Sequence, residues 1–400
     1  MNTGIIAEYN PFHNGHKYHI SQTKRITDAE NIIVVMSGNF VQRGEPAIVN
    51  KYLRTKAALL NGADMVIELP TVYSTGSADV FAYGSISLLN SSGIIDNISF
   101  GSETGDTKPF LSAADILCKE PLSFKSALKE ELSSGISYPK ARTNALSKQL
   151  GTDCSYLSSA NNILALEYIK ALMTLNSHIK PYTIARISAS YHSEDITGSI
   201  SSASAVRKAI SELSFDELKK TLSLCIPDNY LNSLLSEISS YRPTLDSYSD
   251  ILSYILCTKP PEYISSIAYV TEGLENRIKN TYTSSDITTL LSALKTKRYA
   301  LSKLRRAILH IILSIKKTDV SLSSPPPYIR VLGIRKDKSY LLSLLAKHSS
   351  LPIVTNVAKD INTLSPYAAE FLLNEAKFSD MYYLFARKQG TDFTSPLVVV

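Results

Sequence analysis

The sequence predicts an α/β protein: a parallel β-sheet covered by helices, followed by a mainly helical C-terminal region that contains a small α/β element. Three observations carry this expectation. Short apolar runs alternate with helical segments through the first hundred residues. The first of these runs leads through a turn into a helix that bears closely spaced histidines. Beyond residue 212 the alternation gives way to helical periodicity, and strand-like runs return only near the C-terminus.

Taken in order, Thr3–Ala7 reads as a buried strand and Asn14–Ile26 as the helix after it. Asn31–Met36 is a second apolar strand, ended by Ser37-Gly38-Asn39. Pro46 suits the start of a helix and Asn61-Gly62 its end. Asp64–Leu69 is a third strand, Asp79–Leu89 a helix, and Ile95–Phe100 a fourth strand closed by Gly101-Ser102-Glu103. Strands this apolar are buried on both faces, as in a parallel sheet. Helical sequence then runs from about Phe110 to Leu175. Pro181–Ile187 reads as a fifth strand and Ser204–Leu213 as a helix. From Phe215 to Lys317 the pattern is mainly helical, and Ser321–Pro327 is a break. Ile329–Val331, a helix near Lys338–Lys347 and Pro352–Thr355 form the small α/β element. The expected division is a first domain at 1–212 and a helical region at 213–400.

Composition narrows the class. Of 400 residues, 44% are hydrophobic and 20% charged, which is globular usage. No apolar run reaches the roughly 18 residues of a membrane span, and the N-terminus lacks the basic and apolar regions of a signal peptide. Cys118, Cys154, Cys225 and Cys257 are dispersed. They form neither a zinc pattern nor a disulfide framework, which fits a reducing cytoplasm.

The segment Gly4–Ile20 (GIIAEYNPFHNGHKYHI) holds three of the seven histidines. A strand end followed by a helix N-terminus is where open α/β sheets bind ligands. The N–H groups and partial positive charge there suit phosphate. Gly15 clears space for close approach, and the imidazoles of His13 and His16 can donate to phosphate oxygens. Histidines at this spacing also serve as metal ligands or as plain surface residues. Here no third ligand falls on the same helical face, so phosphate handling is favoured and no metal site is expected.

HNGH resembles the HxGH signature of the nucleotidylyltransferase superfamily. With EYNPFHNGH, Ser37–Ala47 (SGNFVQRGEPA), Ala63–Pro70 (ADMVIELP), Phe100–Glu103 (FGSE), Asn161–Leu172 (NNILALEYIKAL) and Thr296–His310 (TKRYALSKLRRAILH), the chain resembles the bacterial tRNA(Met) cytidine acetate ligase family. That resemblance implies a Rossmann-like, HUP-type nucleotidylyltransferase domain at 1–212 and a basic tRNA-binding region at 213–400. The implied reaction joins acetate to ATP as acetyl-adenylate. It then acetylates N4 of the wobble cytidine in elongator tRNA(Met). ATP is a substrate, with Mg²⁺ accompanying its phosphates. No obligate protein partner and no membrane are implied. A nucleotidylyltransferase acting on a small-molecule acceptor shares the HxGH corner, but it would need no basic extension.

Residue roles follow. Ile6, Ala7, Glu8, Tyr9, Asn10, Pro11, Phe12, His13, Asn14, Gly15, His16, Lys17, Tyr18 and His19 are expected to cradle ATP, with His13 and His16 catalytic. Gly101 offers bare backbone to adenine or ribose. Asn161 or Asn162 contacts the nucleotide or caps its helix. Arg186, at a strand end, binds phosphate or makes a surface ion pair. Ile200–Arg207 (ISSASAVR) resembles a second phosphate motif through Ser202, Ser204 and Arg207, although a plain serine cap explains it equally. Arg43 and Glu45, after the second strand, read as a substrate-facing loop or, nearly as well, as an exposed loop ion pair, and are left out of the expected site.

Lys295–Lys317 carries eight Lys and Arg residues and no Asp or Glu. Leu294, Leu301, Leu304, Ile308, Ile311 and Ile315 recur at helical spacing on its apolar side. Lys297, Arg298, Arg305 and Arg306 are the expected tRNA contacts, read as an electrostatic footprint.

Overall fold

The computed structural model describes residues 1–186, 196, 198–240, 242–271, 273–283, 286–296, 299–320 and 324–400. The expected alternation forms. Strand β1 (Asn2–Ala7) leads to helix α1 (Asn14–Thr27), then β2 (Asn31–Ser37), α2 (Lys51–Leu60), β3 (Met65–Leu69), α3 (Ala78–Ser91) and β4 (Asn97–Ser102). Three helices between Lys108 and Leu150 precede α4 (Ala160–Thr174), β5 (Lys180–Ala185) and α5 (Ala203–Glu212). Ile187, the expected end of the fifth strand, lies outside the described residues.

Neighbouring strands run β5-β4-β1-β2-β3, all parallel. Side chains alternate between two cores. Ile33, Val35, Met65 and Ile67 pack on one face, and Ile5, Ile32, Val34, Met36 and Val66 on the other. A sheet buried on both faces explains the near-continuous apolar runs. Chain order reverses between β1 and β4, so the crevice beyond their carboxyl ends is the topological switch point.

The C-terminal α/β element does not build a sheet of its own. Strand β6 (Ile329–Ile334) adds antiparallel to β3. Strands β7 (Ile353–Val354) and β8 (Val398–Val399) then pair with β6 in parallel. One sheet therefore draws strands from both sides of residue 212. A buried charge cluster ties the two parts together. Lys51 Nζ lies 2.6 Å from Glu68 and 2.7 Å from Asp392, and Arg330 Nη1 lies 2.6 Å from Asp392 and 3.0 Å from Glu68. Two cations meet two carboxylates, so charge balances. Removing one partner from such a buried set costs about 3–5 kcal/mol.

Pro46 does not open a helix. It pairs with Phe40 in a short hairpin, Phe40–Val41 with Glu45–Pro46, and α2 begins five residues later. Asn50 caps α2 by accepting from Leu53 N at 3.0 Å, a donor–acceptor match that proline cannot supply. The basic stretch is likewise not one helix. Leu294 ends the helix Ile287–Leu294, and α6 (Leu301–Leu313) starts after a break. The apolar positions are buried or half-buried on both pieces, so the periodicity reported burial across the break.

Candidate active site

The turn from β1 into α1 is held from below by Arg54. This side chain is fully buried. It donates to the carbonyls of Val49, Glu8, Ser37 and Gly38, which brings the carboxyl ends of β1 and β2 together. Tyr9 and Phe12 fill the core beneath the turn. Their rings sit 4.8 Å and 5.6 Å from that of His16 and brace it. Asn10 Oδ1 accepts from Ile48 N at 2.8 Å, and Pro11 is buried. Ile6, Ala7, Glu8, Asn14, Gly15, His16, Tyr18 and His19 are half-buried, while Lys17 is exposed.

His13 is the N-cap of α1. Its Nδ1 accepts from Gly15 N at 3.1 Å, and His16 Nδ1 accepts from His13 N at 3.2 Å. The two rings stack at 3.6 Å between centroids. The helix start is thus capped by the histidines themselves, and the Gly15 N–H is taken up by the His13 ring. A Cβ on Gly15 would stand 2.9 Å from His13 Cε1, so this glycine makes room for the His13 ring. Because each Nδ1 accepts, the hydrogen-bond network assigns the remaining proton of each neutral ring to Nε2. Burial, helped by Arg186 and Arg207, pushes His13 down to about 3. Burial, with His13, His19 and Arg186 adding to it, holds His16 well below its usual value. Burial and Arg186 lower His19 to about 4. The pair is a set of neutral N–H donors backed by nearby cations.

The second motif joins this turn. Ser202 caps α5 by accepting from Ala205 N at 3.1 Å. Arg207 Nη1 donates to Asn10 O at 3.0 Å and Nη2 to Ser204 Oγ at 3.2 Å. Arg43 donates to the same Ser204 oxygen at 3.2 Å. Glu45 lies 3.9 Å from Arg207 and 3.7 Å from Arg305. Sequence reasoning set Arg43 and Glu45 aside, yet the hairpin that carries them bridges the Ser202–Arg207 segment and α6. The available signal was Gly44, whose φ of +75° marks a tight turn between them. Glu8, half-buried, accepts from Gln42 N at 2.8 Å. Burial raises its pKa.

On the other side of the turn stands Arg186. Gly101 lies within β4, paired with Ile184, and the Arg186 stem passes over it with Cγ 3.5 Å from where a Cβ would be. Neither Asn161 nor Asn162 is a cap, because Ser159 holds that position on α4. Asn161 accepts from Arg186 Nη1 at 2.8 Å. Asn162 is fully buried, accepts from Glu103 N at 3.0 Å and donates to Tyr156 O at 2.9 Å.

Of the expected tRNA contacts, Lys297 and Arg298 lie outside the described residues. Arg305 and Arg306 are half-buried. Arg306 sets its guanidinium 5.3 Å from the Tyr269 ring. Among the described residues, no helix is long and apolar enough to cross a membrane, and no cluster of three or more His, Cys, Asp or Glu is placed to hold a metal.

A parallel sheet with a histidine-capped helix at its switch point defines a nucleotidyl transferase site, and the family model described as HIGH Nucleotidyl Transferase matches residues 1–394. The chain belongs to this family. A relative from Acetivibrio thermocellus named tRNA(Met) cytidine acetate ligase is 42% identical, over 99% of each chain. One of the same name from Clostridium perfringens is 42% identical over 89% of this chain and 90% of its own. Among solved structures, Thermotoga maritima TmcAL bound with alpha-thio ATP superposes with a TM-score of 0.89 at 31% identity, covering 100% of this chain and 99% of that one. The apo form of the same protein gives 0.92 at 32% identity, with the same coverage.

Proposed function

We propose that the chain is an ATP-dependent tRNA(Met) cytidine acetate ligase working in two steps. In the first, an acetate oxygen attacks the α-phosphorus of ATP. A bond from that oxygen to phosphorus forms, the bond to the β-phosphate bridge breaks, and pyrophosphate leaves. In the second, the N4 amine of the wobble cytidine in elongator tRNA(Met) attacks the acetyl carbon. AMP departs and the amine loses a proton.

The observation that carries the reading is the His13–His16 pair. Each ring commits Nδ1 to a backbone N–H and keeps Nε2–H as a donor. Neutral donors fixed before the reaction stabilise charge developing on phosphate oxygens without reorganising. Arg186 and Arg207 flank the pair, close enough to lower the His13 pKa, and supply the cationic field that a triphosphate needs. Ile6–His19 with Gly101, Asn161, Asn162 and Arg186 form the ATP cradle. Ser202, Ser204 and Arg207 form the second phosphate contact.

Mg²⁺ enters with ATP as part of the substrate. The carboxylates around the cleft are already engaged: Glu8 with Gln42, Glu45 with arginines, and Glu103 with Ser159 and Asn161. A Mg²⁺ ion held by phosphates and water suits that arrangement. The tRNA face runs through Lys297, Arg298, Arg305 and Arg306, and the working compartment is the cytoplasm.

The test is incubation of tRNA(Met) with ATP, acetate and the protein, followed by mass analysis of the nucleosides. Appearance of N4-acetylcytidine supports the reading. Turnover of ATP with acetate but no acetylated tRNA points to a small-molecule acceptor.

A further inference from the structure

Glu103, just past β4, is not among the residues expected to touch ATP, yet three bonds fix it. Ser159 Oγ donates to its Oε2 at 2.8 Å, Asn161 Nδ2 donates to its Oε1 at 2.7 Å, and its own N–H donates to the buried Asn162 at 3.0 Å. The bond to Glu103 settles the orientation of the Asn161 amide: its NH₂ faces the carboxylate, so its carbonyl oxygen faces Arg186. Arg186 donates to that oxygen at 2.8 Å, and its backbone N–H donates to Ser102 O at 3.0 Å. Among the described residues, the exposed Arg186 guanidinium makes no ion pair with a carboxylate.

We propose that Glu103 and Asn161 form a positioning relay that holds Arg186 toward the nucleotide phosphates while keeping its positive charge unneutralised. A carboxylate bonded straight to Arg186 would also fix it, but it would cancel the charge an incoming phosphate must meet. The neutral amide between them transmits position and not charge. Ser159, at the α4 N-cap, holds the carboxylate, and Asn162, in the first turn, holds the Glu103 backbone N–H, so both fix Glu103 to a rigid helix and Arg186 is set before ATP arrives. Glu103 is a positioning residue that acts through Arg186. The inference rests on reading Arg186 as a phosphate contact.

The experiment is a double-mutant cycle on ATP affinity, measured by equilibrium dialysis on the full-length protein, with thermal melting of every variant. Arg186→Ala should weaken ATP binding about tenfold or more, the scale of one lost hydrogen bond to a charged group. Glu103→Ala should weaken it about fivefold to tenfold, on the same scale. Glu103→Gln keeps the positions of all three bonds and should stay within about twofold of the parent. In the Arg186→Ala background, Glu103→Ala should cost nothing further, because two residues acting as one unit are not additive. If Arg186→Ala leaves ATP affinity unchanged, the phosphate contact is wrong and the relay falls with it. If Arg186→Ala weakens binding but Glu103→Ala adds its full effect on top, the contact stands and the relay alone is overturned. A Glu103→Ala variant that lowers the melting temperature without changing ATP affinity, or a Glu103→Gln variant as weak as Ala, overturns the relay as well.

Discussion

Gly44 rests on the backbone of Arg306: a Cβ placed on it would stand 2.6 Å from the Arg306 nitrogen, and its own φ is +75°. The hairpin that carries Arg43 and Glu45 is therefore seated on the first turns of α6 with no side chain between them. Gly44→Ala meets two penalties at once, the left-handed backbone and the overlap with main-chain atoms. The variant should lose about 2 kcal/mol or more of stability in urea unfolding. Unchanged stability would show that the hairpin can lift off α6 freely, and that the Glu45 bridge to Arg305 is incidental.

His13 and His16 cap α1, and the chemical role proposed for them should separate from that structural one by magnitude. Replacing either by Ala removes a phosphate donor and should slow acetate-dependent ATP–pyrophosphate exchange about 10²-fold. Each also loses half of the reciprocal cap on α1, worth about 1 kcal/mol of stability. Exchange should proceed with acetate and without tRNA in the parent protein. A near-normal exchange rate in either variant would move the phosphate site elsewhere.

Buried neutral histidines make stability depend on acid. His310 is fully buried, its Nε2 lies 2.8 Å from Thr75 Oγ1, and burial, then Arg306, pushes it down to about 3. His13 is held at about 3 as well. Unfolded, each returns to about 6.5. Between those values the unfolded chain binds protons that the folded chain refuses. Stability is then complete above about pH 6.5 and falls as pH drops toward 3. His310→Gln should flatten the slope of unfolding free energy between pH 4 and 6 by about 1.4 kcal/mol per pH unit, the value of one proton. An unaltered slope would mean that His310 takes up its proton without unfolding.

The strands and the histidine corner were legible because each is written locally. Apolar runs such as Ile32–Met36 need no partner to be recognised, and HNGH sits within one turn of chain. What was not legible depends on distance in sequence. That Glu45 meets Arg207 and Arg305 requires three segments far apart to converge. The pairing of β6 with β3 brings residue 331 beside residue 67, and no local pattern announces it. The capping alternative for Asn161 and Asn162 falls because the helix begins at Ser159 and uses its asparagines sideways, toward Arg186 and Glu103. The single basic helix does not form because Leu294, buried, and Leu301, half-buried, keep the same spacing across a break between two helices.

The basic side of α6 is the proposed tRNA surface. Arg305 is held 3.7 Å from Glu45, which also lies 3.9 Å from Arg207. A half-exposed pair of this kind contributes little to stability, so a tRNA phosphate can take the guanidinium at small cost. Replacing Arg305 together with Arg298 by Ala should lower tRNA(Met) affinity and make the dependence of log affinity on log salt shallower by roughly one unit per lost contact. Arg306, packed against Tyr269, should behave differently. Arg306→Ala should lower stability as well as any RNA affinity, because it removes a half-buried cation from an aromatic ring. Acetate-dependent pyrophosphate exchange should survive in the Arg298/Arg305 double variant, since Arg305 lies on α6 and not in the His13–His16 corner. The two half-reactions then come apart: adenylate forms, and transfer fails at limiting tRNA. Unchanged tRNA affinity and salt slope in that variant would place the RNA surface elsewhere. Loss of exchange would mean that the Glu45 bridge transmits the state of α6 to Arg207, and that the helical region and the ATP site work as one unit.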